Sequence, residues 1–258
     1  MDTEPQHSER DPSSTPATGK EEGSRSVRMP GLPEFLRDLS WRRAAVLGAL
    51  GTASLLLFSA FVVQPFLIPS GSMEPGLQVG DRVLVNKLAY RFGTEPRRGD
   101  VVVFDGTGSF VQEPAPENPL TGLAHGAAAA LGLAEPAETD FVKRVVGVGG
   151  DRVVCCDEGG KVEVNGRAIE ERYVYFGDAP SSAPFDIVVP SGTLWVMGDH
   201  RSNSRDSRDH LGEPGGGMVP VDKVIGRVDW IGWPLGRWAS LEPTDAFRDV
   251  RDPDGAHG

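Results

Sequence analysis

Three short segments of the chain carry side chains that could perform chemistry. The first reads Ile68-Pro-Ser-Gly-Ser-Met-Glu-Pro75, and its glycine and prolines can hold a serine exposed on a rigid loop. Such a hydroxyl becomes a nucleophile when a neighbouring base removes its proton. Serine, glycine and proline are also ordinary loop residues, so this segment by itself leaves a purely structural role open.

The second segment places a lysine within an apolar run, Phe141-Val-Lys-Arg-Val-Val146. Because alternate side chains of a strand face opposite sides, Lys143 faces away from the side that Val142 and Arg144 share. If Lys143 faces the interior, burial disfavours its ammonium form and lowers its pKa, which makes it a competent general base. A lysine that faces solvent from the same strand has no such role.

The third segment, from Met197 to Arg208, is dense in polar and charged residues and directly follows an apolar run. A solvated loop tied by Asp–Arg pairs fits this composition. A metal site through Asp199, His200 and Asp206 is disfavoured, because one histidine with scattered carboxylates matches no familiar ligand pattern. We predict no metal and no other cofactor.

These segments must be positioned by a domain that the sequence predicts to be mainly β. Short β-rich runs alternate with Gly, Pro and Asp, and turn signals such as Asn165-Gly166 separate them. This spacing predicts an antiparallel β-sheet domain over residues 65–240. Within it, residues 105–140 lack the β pattern and are predicted to form an exposed insertion. The polar residues 241–258 are predicted to be a flexible C-terminal tail.

The N-terminal part predicts a tail followed by a membrane anchor. Residues 1–40 contain few large apolar residues and are predicted to be disordered. Ala44 to Val63 then holds no charged residue, and a helix of this length matches the roughly 30 Å hydrocarbon core of a bilayer. We therefore predict one transmembrane helix over 41–64. A cleaved signal peptide is disfavoured, because the apolar stretch is long and begins far from the N-terminus.

The distribution of charge bears on orientation and on partners. Arg42 and Arg43 precede the apolar stretch, and neither lysine nor arginine follows it until Arg82. The positive-inside rule then places the N-terminus in the cytoplasm and the β domain outside the cell membrane. The formal net charge of -11 argues against a nucleic-acid partner, whose phosphates require lysine and arginine.

The two cysteines, Cys155 and Cys156, are neighbours in the chain. Across a trans peptide their Cα atoms would be about 3.8 Å apart, which is shorter than a relaxed disulfide prefers. We therefore expect two small residues that are at least partly buried, with a redox role or an intermolecular bridge as the alternatives. The spacing does not predict a zinc site.

Taken together and in this order, the segments resemble the bacterial type I signal peptidases, the Ser/Lys leader peptidases. The resemblance covers about Phe66 to Trp233 without the insertion. His200 departs from it, since asparagine is usual at this position. The matching pieces are Pro69 to Pro75, Gly80-Asp81, Arg98 to Val102, Lys143 to Gly147 with Gly150-Asp151, and Gly198 to Arg208.

The resemblance implies roles for six residues. Ser72 would be the nucleophile and Lys143 its general base. The oxyanion hole would consist of the Ser72 backbone N–H and the Ser70 hydroxyl. A further hydroxyl, that of Ser204, would orient the lysine. The last two residues would form a supporting pair, Asp206 with Arg208.

The implied function is that of a membrane-bound serine endopeptidase that removes signal peptides from exported preproteins. Its partners would be secreted preproteins and membrane lipid. Two alternatives remain open. One is a specialised membrane-tethered Ser/Lys protease with a single dedicated substrate. The other is a non-catalytic, anchored β domain that binds a cell-envelope partner.

Overall fold

The computed structural model describes residues 40–112, 128 and 139–253. The described chain divides into two units between Leu47 and Gly48. The predicted disordered tail, except residue 40, and most of the predicted insertion lie outside the described residues.

The N-terminal helix, α1, spans Trp41–Phe61 and contains 21 residues. Many of its large apolar side chains are exposed, namely Val46, Leu47, Leu50, Leu55, Leu57, Phe58 and Phe61. The described residues contain no helix that is both long enough and apolar enough to cross a membrane. The helix also ends earlier than the prediction of 41–64, because Val63–Leu67 forms a strand that pairs with Arg82–Asn86.

Within the described residues, twelve strands form two antiparallel sheets, as the sequence predicts. The larger sheet has the order β1-β2-β11-β3-β4-β9-β10, with β12 paired to β11, and the smaller has the order β7-β6-β5-β8. The strands are β1 Val63–Leu67, β2 Arg82–Asn86, β3 Val101–Asp105, β4 Asp140–Val148, β5 Arg152–Cys155, β6 Val162–Val164, β7 Arg167–Ala168, β8 Phe185–Val188, β9 Thr193–Met197, β10 Val219–Pro220, β11 Val224–Trp233 and β12 Ala239–Ser240. Short 3-10 helices span Gly71–Met73, Arg201–Asn203, Val221–Lys223, Leu235–Arg237 and Asp245–Phe247.

Strand β3 shows why the larger sheet is buried on both faces. Its side chains alternate between two apolar clusters, since Val101 and Val103 pack in one and Val102 and Phe104 in the other. A β-branched strand of this kind is stable between two cores. Strand β4, which carries Lys143, pairs with β3 and therefore lies inside the sheet.

Two buried carboxylates fasten the loops around this sheet. Asp81 accepts hydrogen bonds from Arg237 at 2.9 Å and from the Gln78 backbone N–H at 2.9 Å. The same turn exchanges backbone hydrogen bonds with Ile68, which fixes the chain just before the first candidate segment. Asp151 accepts from Arg98 at 2.6 Å and from the Val148 N–H at 2.8 Å, which fixes the end of β4.

The residues after 240 are packed, in contrast to the predicted flexible tail over 241–258. Phe247 and Val250 are buried in the cluster that also contains Trp195 and Met197 of β9. These two apolar side chains dock on the core from a stretch that is otherwise mostly exposed, which the predicted flexible tail did not anticipate. Residues 254–258 lie outside the described residues.

Cys155 and Cys156 are joined by a disulfide across a cis peptide bond, with Cα atoms 2.9 Å apart. The sequence predicted two residues that are at least partly buried, and this is wrong for Cys156, which is exposed. Cys155 is buried in the cluster beneath the smaller sheet.

Candidate active site

Ser72 lies in the middle of the 3-10 turn Gly71–Met73 and is only 6% exposed. The turn is closed by a hydrogen bond from the Glu74 N–H to the Gly71 carbonyl, and Leu77 N–H binds the Met73 carbonyl. The Met73 side chain packs in one of the apolar clusters of the larger sheet. The loop is therefore anchored on both sides of the serine, as a preorganised nucleophile requires.

Lys143 meets Ser72 across a distance of 71 residues in sequence. Its Nζ donates to Ser72 Oγ at 2.8 Å and to the Val142 carbonyl at 3.2 Å. The lysine is only 4% exposed, and it lies on β4, which is paired on both edges, with β3 and with β9. The sequence left open whether Lys143 faces the interior, and the structure places it there.

Burial lowers the pKa of Lys143 from 10.5 to about 8. The negative charges of Asp206 and Asp199 oppose this shift, whereas the positive charge of Arg208 adds to it. A lysine with this pKa is partly neutral near pH 8, and only the neutral amine can accept a proton.

Ser70 lies beside the same pair of groups. Its hydroxyl donates to Ser72 Oγ at 3.4 Å, and the residue is exposed to solvent. The structure thus brings together Ser70, Ser72 and Lys143, which the sequence placed in two separate segments. A hydroxyl in this position is within reach of an oxyanion that would form if Ser72 Oγ attacked a carbonyl group.

Ser204, Asp206 and Arg208 are connected to one another. The Ser204 hydroxyl donates to Asp206 Oδ2 at 2.8 Å, and Arg208 Nε donates to Asp206 Oδ1 at 2.8 Å. Burial raises the pKa of Asp206, but the hydrogen bonds and charge of Arg208 outweigh burial and hold this pKa below its ordinary value. Lys143 Nζ donates to Ser72 Oγ and to the Val142 carbonyl. Among the described residues it has no hydrogen bond to the Ser204 hydroxyl, which the resemblance expects to orient the lysine. The Asp206 carboxylate is the stronger acceptor for the Ser204 hydroxyl.

Gly198 permits the close contact between the Ser72 loop and the third segment. A Cβ at this position would lie 2.2 Å from Ser204 Oγ and 2.6 Å from the Ser72 carbonyl oxygen. The second contact is with backbone and cannot be relieved by a side-chain rotation. Sequence reasoning gave Gly198 no role of its own, because nothing local indicates that two distant loops meet there.

Sequence reasoning also missed a buried ion pair beneath the site. Arg144 donates to both oxygens of Asp199, at 2.8 and 2.6 Å, and to the Gly99 carbonyl at 2.8 Å. Its guanidinium lies 4.2 Å from the ring centroid of Tyr173. The available signal was an arginine within an apolar strand, because a buried guanidinium requires a carboxylate partner. No group of His, Cys, Asp or Glu among the described residues could hold a metal ion.

A cleft of about 570 Å³ opens beside Ser72 and Lys143. Its walls are mostly apolar and include Phe66, Ile68, Phe141 and Val142. An apolar cleft with a few convergent polar groups is the usual form of a binding site for a substrate.

A buried loop serine in hydrogen-bond contact with a buried lysine of an antiparallel sheet, beside an apolar cleft, is typical of the Ser/Lys class of serine peptidases. The family model described as "Signal peptidase, peptidase S26" matches residues 40–233. The chain therefore belongs to the peptidase S26 family of signal peptidases, which confirms the resemblance seen in its sequence and its assignment as a serine endopeptidase.

Individual relatives agree with this membership. Signal peptidase I of Mycobacterium tuberculosis (strain CDC 1551 / Oshkosh) is 38% identical over 240 residues, which cover 84% of this chain and 81% of that protein. Probable signal peptidase I of Mycobacterium leprae is 36% identical over 226 residues, with 76% and 78% covered. Signal peptidase I of Leptolyngbya laminosa is 35% identical over 187 residues, with 72% and 77% covered.

The buried lysine leads to a prediction about stability. Because its pKa is lowered in the folded state, the unfolded state binds more protons between pH 8 and pH 10.5, so the Lys143 contribution to stability rises with pH in that window. At pH 7 we expect Lys143→Met to have a larger free energy of unfolding than wild type. This difference should decrease by about 2 kcal/mol between pH 7 and pH 9.5. Urea denaturation followed by tryptophan fluorescence measures it.

Ser72→Ala is the matched control, because it leaves the lysine buried and should retain the pH dependence of wild type. A constant difference between Lys143→Met and wild type across this range would contradict the lowered pKa.

Proposed function

We propose that this protein removes signal peptides from exported preproteins by hydrolysis at a Ser72–Lys143 pair. The observation that supports this most is the 2.8 Å hydrogen bond from Lys143 Nζ to Ser72 Oγ in a nearly solvent-free position. Burial makes the amine partly neutral near pH 8, and the hydrogen bond supplies the path for the proton.

In the proposed reaction, neutral Lys143 accepts the proton of Ser72 Oγ as this oxygen attacks the scissile carbonyl carbon. The carbonyl oxygen gains a negative charge that the Ser72 N–H and the Ser70 hydroxyl stabilise. Collapse of this intermediate breaks the C–N bond, and Lys143 returns the proton to the departing amine. A water molecule then loses a proton to Lys143 and attacks the acyl carbon. The bond from this carbon to Ser72 Oγ breaks, and Lys143 returns the proton to Oγ.

The proposed substrate is the extended end of a signal peptide with small side chains before the cut. The cleft next to Ser72 is lined by bulky apolar residues, including Phe66, Phe141 and Met73. Pockets formed by such walls would exclude large side chains more readily than they would distinguish among small ones.

We further propose that α1 holds the protein at a cell membrane, with residues 1–40 in the cytoplasm and the peptidase domain from residue 65 outside it. The uncharged stretch Ala44 to Val63 and the exposed apolar side chains along α1 support this. Trp230, Trp233 and Trp238 are also exposed, and such rings favour the membrane interface.

The membrane proposal is tested by cell fractionation. We expect the full chain to stay in the membrane pellet after an alkaline carbonate wash. Replacing both Leu50 and Leu55 by arginine should release it, because each arginine at the centre of a membrane helix costs about 3 kcal/mol. Leu88→Arg, at an exposed position outside α1, is the control and should remain in the pellet. Release of the wild type by the wash would contradict the proposal.

The catalytic proposal is tested by cleavage of preproteins in detergent. We expect Ser72→Ala and Lys143→Ala each to lower kcat/KM by about 10³-fold or more, since loss of either member of a nucleophile–base pair disables the whole unit. Ser191→Ala and Lys161→Ala, at residues distant in sequence from both segments, are the matched controls and should cut like wild type.

Lys143→Ala activity close to wild type would show that another group is the base. Cleavage of only one substrate in a panel of unrelated preproteins would indicate the specialised protease instead.

The pH dependence of the rate gives a separate prediction. The base acts when neutral, so kcat/KM should rise with pH and level off above about 8, the pKa of Lys143. Steady-state cleavage between pH 6 and pH 9.5 measures this. A rate that is flat or falls through pH 8 would be inconsistent with a lysine base of this pKa.

A further inference from the structure

His200 contacts both carbonyl groups that flank the Ser72 Cα. Its backbone N–H donates to the Ser72 carbonyl at 3.0 Å. Its ring Nδ1 lies 3.2 Å from the Gly71 carbonyl oxygen. One residue from the third segment therefore holds the peptide groups on either side of the proposed nucleophile.

The surroundings of the ring determine which nitrogen carries a proton. The two groups near Nδ1 are the Gly71 carbonyl oxygen and, at 3.5 Å, Glu74 Oε2. Both are acceptors, so Nδ1 is the protonated nitrogen in the neutral ring and also in the charged ring. Nδ1–H is therefore a donor to the Gly71 carbonyl in either state.

The ring is held in this orientation from its other side. It stacks on Tyr175 with centroids 3.9 Å apart and an interplanar angle of 5°. The Tyr175 N–H in turn donates to the Asp199 carbonyl at 2.9 Å, and the Asp199 side chain is bound by Arg144. The stacking partner of the ring is therefore tied through its backbone to Asp199, the partner of the buried Arg144.

We propose that His200 is a positioning residue that aims and strengthens the oxyanion donor of this enzyme. The Gly71 carbonyl and the Ser72 N–H belong to one planar peptide group, so fixing the direction of the carbonyl fixes the direction of the N–H. A hydrogen bond accepted by the carbonyl also polarises the group and makes its N–H a better donor. The inference rests on the proposed function, because it assumes that the Ser72 N–H binds an oxyanion.

The inference is tested by His200→Leu and His200→Asn with a cleavable preprotein. The leucine removes the ring donor but keeps bulk, whereas the asparagine amide can again donate to the Gly71 carbonyl. We expect His200→Leu to lower kcat by about 10-fold or more with little change in KM, because the donor acts in the transition state. His200→Asn should restore kcat to within about threefold of wild type by this same reasoning.

Tyr175→Leu provides a second variant in case His200→Leu fails to fold. It removes the stacking partner and retains Nδ1, so it should lower kcat in the same direction by a smaller factor, again with KM little changed. Thermal unfolding midpoints of all variants establish that they are folded.

Three results would overturn the inference. The first is a folded His200→Leu or Tyr175→Leu variant with the kcat of wild type. The second is an equal loss in His200→Leu and His200→Asn, which would show a structural role only. The third is failure of wild type itself to cut, which would overturn the proposed function and the inference with it. The first two results would leave the proposed function intact.

Discussion

A lysine amine buried against a serine hydroxyl is the constraint on which the rest of this structure depends. A charged amine is costly to bury, so the site favours the neutral form and the pKa of Lys143 falls to about 8. Holding such a side chain requires a rigid, apolar frame, and strand β4 provides it because it lies between β3 and β9. The apolar clusters on both faces of the sheet therefore serve the chemistry as well as the stability of the fold.

Pairing of buried charges next to the site keeps this frame in one arrangement. Arg144 with Asp199, Arg208 with Asp206, and Arg201 with Glu171 each form ion pairs with more than one hydrogen bond. Loss of one partner from a buried pair typically costs about 3–5 kcal/mol, because the other charge is left without compensation. These pairs lie on or next to the third segment, which contacts the Ser72 loop at Gly198 and at His200.

Much of the fold and part of the candidate site could be predicted from the sequence. Alternating apolar residues and turn signals predicted the antiparallel sheets, and the order of the three segments predicted the family. The sequence could not predict where contacts between distant residues, or a bond between neighbouring cysteines, override a local pattern. Val63 lies in a strand and not in the predicted helix, because it pairs with β2. Phe247 anchors a polar segment in the core, and Cys155 is bonded to its neighbour Cys156.

The sequence by itself determined the residue types at the site and the element that carries each of them. Chain order and periodicity are local properties, and they suffice to place a serine on a loop and a lysine on a strand. Only the tertiary structure decided that Lys143 faces Ser72, that Ser204 binds Asp206, and that the His200 ring lies against the Gly71 carbonyl. Each of these contacts joins groups whose approach is set by strand register and close packing, and neither quantity can be read from a run of neighbouring residues.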